Sequence, residues 1–275
     1  MLIHVATANY LIIIHIPIMS RSWYKPYIFL SMLRVSKDTF LTAEKALGRA
    51  FTWSDLLAAL SELPPSVSSL CLNNLELDNF PSVPTNIKGI YVENCYMADF
   101  KTPEHLENLV IQNSILTSLT LNEGLTFLGF NRCSFTDFVV PKSLLTYSQN
   151  HSPIKTLPVL PEGLLTLSVD HTELEELPPL PPRLEQLHCG NNQRLKAIPA
   201  LPPTIKGVHA MNCAFESFQT IPDGCVTIIL NNNNLTTFPS IPESVKEICL
   251  IGNPVLKTMA FEAPWKSNGH FGYVR

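Results

Sequence analysis

The string LLTLSVDHTELEELPPLPPR at residues 164–183 returns in altered form along most of the chain. Copies begin at Val67, Ile87, Leu106, Leu125, Leu144, Leu164, Leu184, Ile205, Cys225 and Val245, a spacing of 19 to 21 residues. A period this short leaves each copy too little apolar surface to offset the entropy of ordering it, so the copies must stack on one another. Numbered from their first residue, the coils are apolar almost everywhere at positions 1, 4, 6, 11, 14 and 17, for example Leu164, Leu167, Val169, Leu174, Leu177 and Leu180. Positions 4 and 6 alternate with exposed residues, the period of a short strand. Such strands are expected to pair in parallel from coil to coil, about 4.8 Å apart.

About twenty residues leave no room for a helix after the strand. The return path must be extended, and the LPxLP segments supply it. Proline presets φ for polyproline II, which needs no internal hydrogen bonds, and on a convex back its missing donor is harmless. Position 9 carries Cys95, Ser114, Cys133, Ser152, Thr172, Asn192, Cys213, Asn233 and Asn253, all small and able to donate to nearby backbone at a tight turn. Three of the seven cysteines are therefore read as ladder residues rather than nucleophiles. With an odd cysteine count and no C-x-x-C pair, neither a zinc ribbon nor a disulfide framework is expected. A reducing working compartment fits better.

The net charge of -4 supplies no basic field for nucleic acid. P-loop, dinucleotide, nucleophile-elbow and H-E-x-x-H patterns are all missing, so an enzyme has no anchor in the sequence. The surface that carries information is the outward side of the strands, expected to be concave. Position 5 contributes Tyr91, His188, His209 and Ile229. Position 7 contributes Glu93, Gln112, Asn131, Asn150, Asp170 and Met211, and position 3 adds Phe127. These large amphipathic and hydrogen-bonding side chains suit protein recognition better than phosphate binding. His151 and His171 fall on position 8 of adjacent coils, and His188 and His209 on position 5 of the next two. They read either as solvated ladder histidines or as a metal or pH-sensitive patch near Asp170, with no cofactor expected.

The twenty-residue LxxLxVxxNxLxxLPxLPxx unit resembles the bacterial effector leucine-rich-repeat proteins of the YopM, SspH and IpaH kind. The resemblance runs over about residues 61–259 and is strongest in IKTLPVLPEGLLTLSVDHTELEELPPLPPRLEQL, from Ile154. Coils over 87–143 have drifted, with FKTPEH, LTLNEG and FVVPKS in place of the proline pairs. The resemblance implies a leucine-rich-repeat solenoid of short bacterial repeats, with a parallel β-sheet on the concave face, an extended polyproline convex face and an N-terminal α-helical cap. It also implies type III secretion into the host cell cytoplasm or nucleus and a host protein as partner. Several relatives carry a ubiquitin-ligase domain after the repeats. Here 26 residues follow Cys249, none of the seven cysteines stands in a C-x-D setting, and ligase activity does not carry over.

The expected organisation is a secretion, targeting or poorly ordered segment at 1–35, a helical cap at 36–63, about ten repeats over 64–260, and a cap or tail at 261–275. The apolar stretch at 2–19 reads as a signal peptide, a membrane span, an unfolded export signal, or a translation start placed upstream of Met19 or Met32. The span is disfavoured because His4, Asn9 and His15 interrupt it and Pro17 closes it early. In the cap, Thr52 and Asp55 stand at capping-box spacing. The function expected is a non-enzymatic module binding a host protein. The alternatives are a truncated relative of the ligase effectors that keeps only substrate binding, and a bacterial scaffold with no host role.

Overall fold

The computed structural model describes residues 67–79, 83–135 and 137–254, with isolated strands and three residues of the cap outside them. The chain divides into two compact units, Met1–Phe127 and Leu128–Arg275. A parallel-strand solenoid is seen, its strands recurring once per coil.

The first unit contains β1 (Leu2–Thr7) and β2 (Tyr10–His15), paired antiparallel, and β3 (Met32–Ser36). Next come β4 (Ser69–Asn73), β5 (Glu76–Asn79), β6 (Gly89–Glu93), β7 (Tyr96–Lys101), β8 (Asn108–Gln112) and β9 (Ile115–Thr120). Strands β3, β4, β6 and β8 lie side by side in parallel, with Leu72 opposite Val92 and Val92 opposite Ile111. The edge of β4 is thus covered by β3, in register from Met32 with Ser69 to Ser36 with Asn73. Of the expected cap, Thr52, Ser54 and Asp55 are described. The Thr52 amide donates to Asp55 Oδ2 at 2.8 Å and the Asp55 amide to Thr52 Oγ1 at 3.3 Å, so the capping box forms with aspartate in the glutamate role. The rest of the cap, and Phe261 and Trp265 of the tail, lie outside the described residues.

A second parallel sheet, β5–β7–β9, runs along the return side of this unit. The expectation of a polyproline return path is corrected here, and the cause is local. YMADFK and ILTSLT have no proline, so each residue keeps its amide donor and can join a ladder.

The second unit holds β11 (Thr146–Asn150), β12 (Thr166–Ser168), β13 (Gln186–His188), β14 (Gly207–His209), β15 (Thr227–Ile229) and β16 (Glu247–Cys249), preceded by β10 (Phe127–Asn131), which starts at the boundary. From β11 to β16 the register is unbroken, so Leu167, Leu187, Val208, Ile228 and Ile248 form one buried row. Near the C-terminus are β17 (Lys266–Ser267) and β18 (Tyr273–Val274). Strand β18 pairs antiparallel with β16, capping the last coil. Here the return segments after Ile154, Leu174, Leu195 and Leu235 carry two or more prolines and those after Phe135 and Phe215 one. Among the described residues none forms a helix or a longer strand, and an isolated parallel bridge joins Ser217 to Thr237. In nine coils the first residue donates to the carbonyl three residues before it, as Leu164 does to Pro161 at 3.1 Å and Leu184 to Pro181 at 3.1 Å. In eight of the nine a proline of the return segment supplies this acceptor of the turn into the next strand. In the drifted coil before Leu125 that acceptor is Asn122, at 3.3 Å.

The core departs from an all-apolar pattern at one coil. Gln149 takes position 6 and is fully buried; its Nε2 donates to the Phe135 carbonyl at 3.1 Å and its Oε1 accepts the Tyr147 hydroxyl. Phe130, Phe135 and Phe138 pack around this chain of bonds. The phenol is pushed well above its usual pKa by burial, as expected of a hydroxyl that serves only as a donor here. Among the described residues no helix is long and apolar enough to cross a membrane.

Candidate binding face

Two backbone devices fix the outward face. At position 8 every coil turns left-handed: Asn74, Asn94, Asn113, Arg132, His151, His171, Asn191, Asn212 and Asn232 have φ between 46° and 59°, and Gly252 has φ 80°. Asparagine and glycine tolerate that conformation, which ends the strand and starts the corner. The amide at this position donates to the position 7 carbonyl of the next coil, as His171 does to Gly190 at 3.0 Å. At position 9 the expected ladder forms. Asn192 Nδ2 donates to the carbonyls of Val169 (2.8 Å) and Cys189 (3.0 Å), while its Oδ1 accepts the Thr172 amide at 2.9 Å. Asn233 and Asn253 repeat the pattern, and Cys95, Cys133 and Cys213 make weaker versions through sulfur. Burial pushes the thiols of Cys95 and Cys225 up, that of Cys213 to about 11, and that of Cys189 well above the usual range. These are inert packing groups, not nucleophiles.

All eleven residues read from the sequence as contact residues are half-buried on strand faces. In the first unit Tyr91 and Gln112 are joined across neighbouring strands, hydroxyl to Oε1 at 2.8 Å. Glu93 accepts from Asn73 Nδ2 at 2.9 Å, and Phe127 stands at the end of the unit. In the second unit Asn131, Asn150, His188, His209 and Ile229 lie on strands β10, β11, β13, β14 and β15, and Asp170 and Met211 stand two residues past the ends of β12 and β14. Asn150 Oδ1 accepts the Asp170 amide at 2.8 Å, and Asp170 Oδ1 accepts the Gly190 amide at 2.6 Å. Position 7 thus makes its own side-chain-to-backbone ladder, a feature the periodicity of apolar residues does not signal. Asn131 and Met211 lie on the same row, the latter at the strand exit after His209 and one strand before Ile229.

The histidines stack in two pairs. His188 and His209 rings are 4.6 Å apart and 10° from parallel; His151 and His171 are 4.3 Å apart and 18° from parallel. Parallel registration of β13 and β14 imposes the first pair; the shared left-handed corner imposes the second. Burial lowers His188 to about 4, with the neighbouring His209 charge adding to the effect; His209 is also lowered by burial, partly offset by Glu247. Burial raises the Asp170 carboxyl, opposed by the Gly190 amide and His171. Among the described residues no three His, Cys, Asp or Glu side chains converge as metal ligands.

Charge on the strand faces is one-sided. At positions 3, 5 and 7 of the ten coils the charged residues are Glu93, Asp170 and Glu247, and none of the chain's 19 lysines and arginines falls there.

No family model matches the chain, and no curated protein does. Solved structures do. YopM from Yersinia enterocolitica WA-314 superposes with a TM-score of 0.58 at 22% identity over 70% of this chain and 48% of its own. YopM from Yersinia pestis, described as a leucine-rich effector protein, superposes with a TM-score of 0.59 at 26% identity over 68% of this chain and 54% of its own. The chain therefore spans about half the length of the YopM chains it matches.

Proposed function

We propose that this chain, which has a YopM-like leucine-rich-repeat fold, is a secreted bacterial effector that binds a host protein through its strand faces and carries out no catalysis. The observation that carries this reading is the character of those faces. Rigid parallel strands hold a file of half-exposed aromatic, amide and imidazole side chains, with few charges and with backbone groups already satisfied. Such a surface offers an anchored, pre-organised contact area to a folded partner. The tyrosine and phenylalanine of the first unit are the kind of anchor that dominates interface energetics.

Immobilised protein should retain a saturable host partner from cell lysate. The double substitution Tyr91→Asp and Phe127→Asp should abolish that capture while leaving the thermal melt and circular dichroism unchanged. Capture that survives in the folded double variant places the contact elsewhere. Incubation with ubiquitin, its activating enzyme and a conjugating enzyme should give no chains; chain formation would refute the non-catalytic reading.

A further inference from the structure

Resting on the binding role proposed above, we infer that the strand face of the second unit seats an arginine side chain of the partner, over Asp170 and the His188–His209 pair. Three observations converge. The first is a carboxylate without a cation. Asp170 Oδ1 is committed to the Gly190 amide at 2.6 Å, whereas Oδ2 takes no hydrogen bond from the described residues. Among the described residues no lysine or arginine pairs with the carboxylate; the ring beside it is His171, on the left-handed corner. The carboxylate is half-buried, and Gly190 brings no side chain of its own between it and Met211. A Cβ at Gly190 would lie 3.3 Å from both Asp170 Oδ1 and Met211 Cγ.

The second observation is the neutral imidazole pair. Stacked rings at 4.6 Å resist double protonation, and both stay neutral near pH 7. A neutral imidazole always has one ring nitrogen free to accept. Two such acceptors sit on the strands that follow Asp170: His188, two residues before the Gly190 that holds the carboxylate, and His209, opposite His188 on β14. The third is the charge on the rest of this face. Glu247 is the other charged residue at these positions in the unit. Lys206, which precedes β14, has its Nζ against Gly224 in the following turn rather than over the strands.

A planar cation with several fixed donors fits this arrangement. Guanidinium pairs with carboxylate in charge-assisted bonds and stays ionised when desolvated, and its remaining N–H groups match ring acceptors spaced along one direction. A carboxylate-bearing or phosphorylated segment would meet like charge at Asp170, with only the ring N–H groups of the neutral pair to set against it.

The test needs no knowledge of the partner. A blocked heptapeptide with one central arginine among glycine and serine is titrated into the full chain. The ring signals of His188 and His209 and the Gly190 amide are followed by NMR. The arginine peptide should shift all three saturably, and the peptide with citrulline in place of arginine, equal in shape but uncharged, should not. Asp170→Asn, which keeps an oxygen for the Gly190 amide, should weaken binding about tenfold or more, whereas Glu176→Gln, exposed in a return segment, should leave it unchanged. Absence of shifts, equal binding of the citrulline peptide, or full binding by a folded Asp170→Asn protein would overturn the inference. A chain that captures a host protein through Tyr91 and Phe127 yet ignores the arginine peptide loses this inference alone. One that binds the peptide but captures no host protein loses the broader reading and keeps this one.

Discussion

At position 8 the backbone turns left-handed in every coil, and residue choice there has a measurable price in stability. Asparagine holds six of the ten sites, but Arg132, His151 and His171 hold three with φ of 53°, 51° and 55°. A side chain with no local bond to offset the strain is the weaker choice. Arg132→Asn should therefore raise the urea midpoint, by a few tenths to about 1 kcal/mol, while the β-branched Asn212→Val should lower stability by about 1–2 kcal/mol. Position 9 is more demanding. Asn233→Ala removes the side-chain partner of the Ala210 carbonyl and the Phe215 amide, while the Leu230 carbonyl keeps its bond from Asn253. Equilibrium unfolding should register a loss of about 2–4 kcal/mol, as for other buried groups left without partners. The position 9 ladder was legible because small donors recur at a fixed offset. The left-handed corner was not read, since asparagine, arginine and histidine share no pattern of polarity; only the φ constraint unites them.

Whether the return segment becomes strand or polyproline depends on amide donors, not on hydrophobicity. Strand β7 has its amides in ladders with β5 and β9. Ala98→Pro should disrupt that sheet and cost about 2–3 kcal/mol. By contrast, Pro179→Ala in a segment that forms no ladder should cost less than about 1 kcal/mol, chiefly through the unfolded chain. Denaturant melts of the two variants separate these outcomes. The parallel strands themselves were visible in the sequence, because apolar positions 4 and 6 alternate with polar ones in nearly every coil. The second sheet was missed because the drift of FKTPEH and LTLNEG away from proline pairs was read as weakening of the repeat, not as a gain of donors. Gln149 was hidden for a similar reason: a polar residue at position 6 breaks the apolar count, and its partner, the Phe135 carbonyl, belongs to the return segment of the preceding coil.

For the chain as a whole, acid stability follows from the stacked histidines. His188 falls from 6.5 in an open chain to about 4 when folded, so the unfolded state binds more protons between those values. Its contribution is fully present above pH 6.5 and is lost as pH falls toward 4. Asp170, raised by burial, acts in the opposite sense over a window just above the ordinary carboxylate range. Melting temperature should drop on acidification through pH 6.5 to 4, and His188→Gln should flatten that slope; an unchanged slope would show that the ring pair is not the source. The histidine pairs were placed side by side from repeat phase alone. The neutrality of His188 and His209, and the Asp170 carboxylate held against the Gly190 amide, needed the folded spacing.

The account stands on the outward side of the strands being the contact surface. Hydroxyl-radical footprinting of the chain, alone and with its captured host protein, tests this most directly. Protection should appear at Tyr91, Phe127, His209 and Met211 on the strand faces, while Val139 and Val159, 84% and 91% exposed in the return segments, should be modified equally in both states. Protection of the two valines with the strand-face residues unchanged would contradict it.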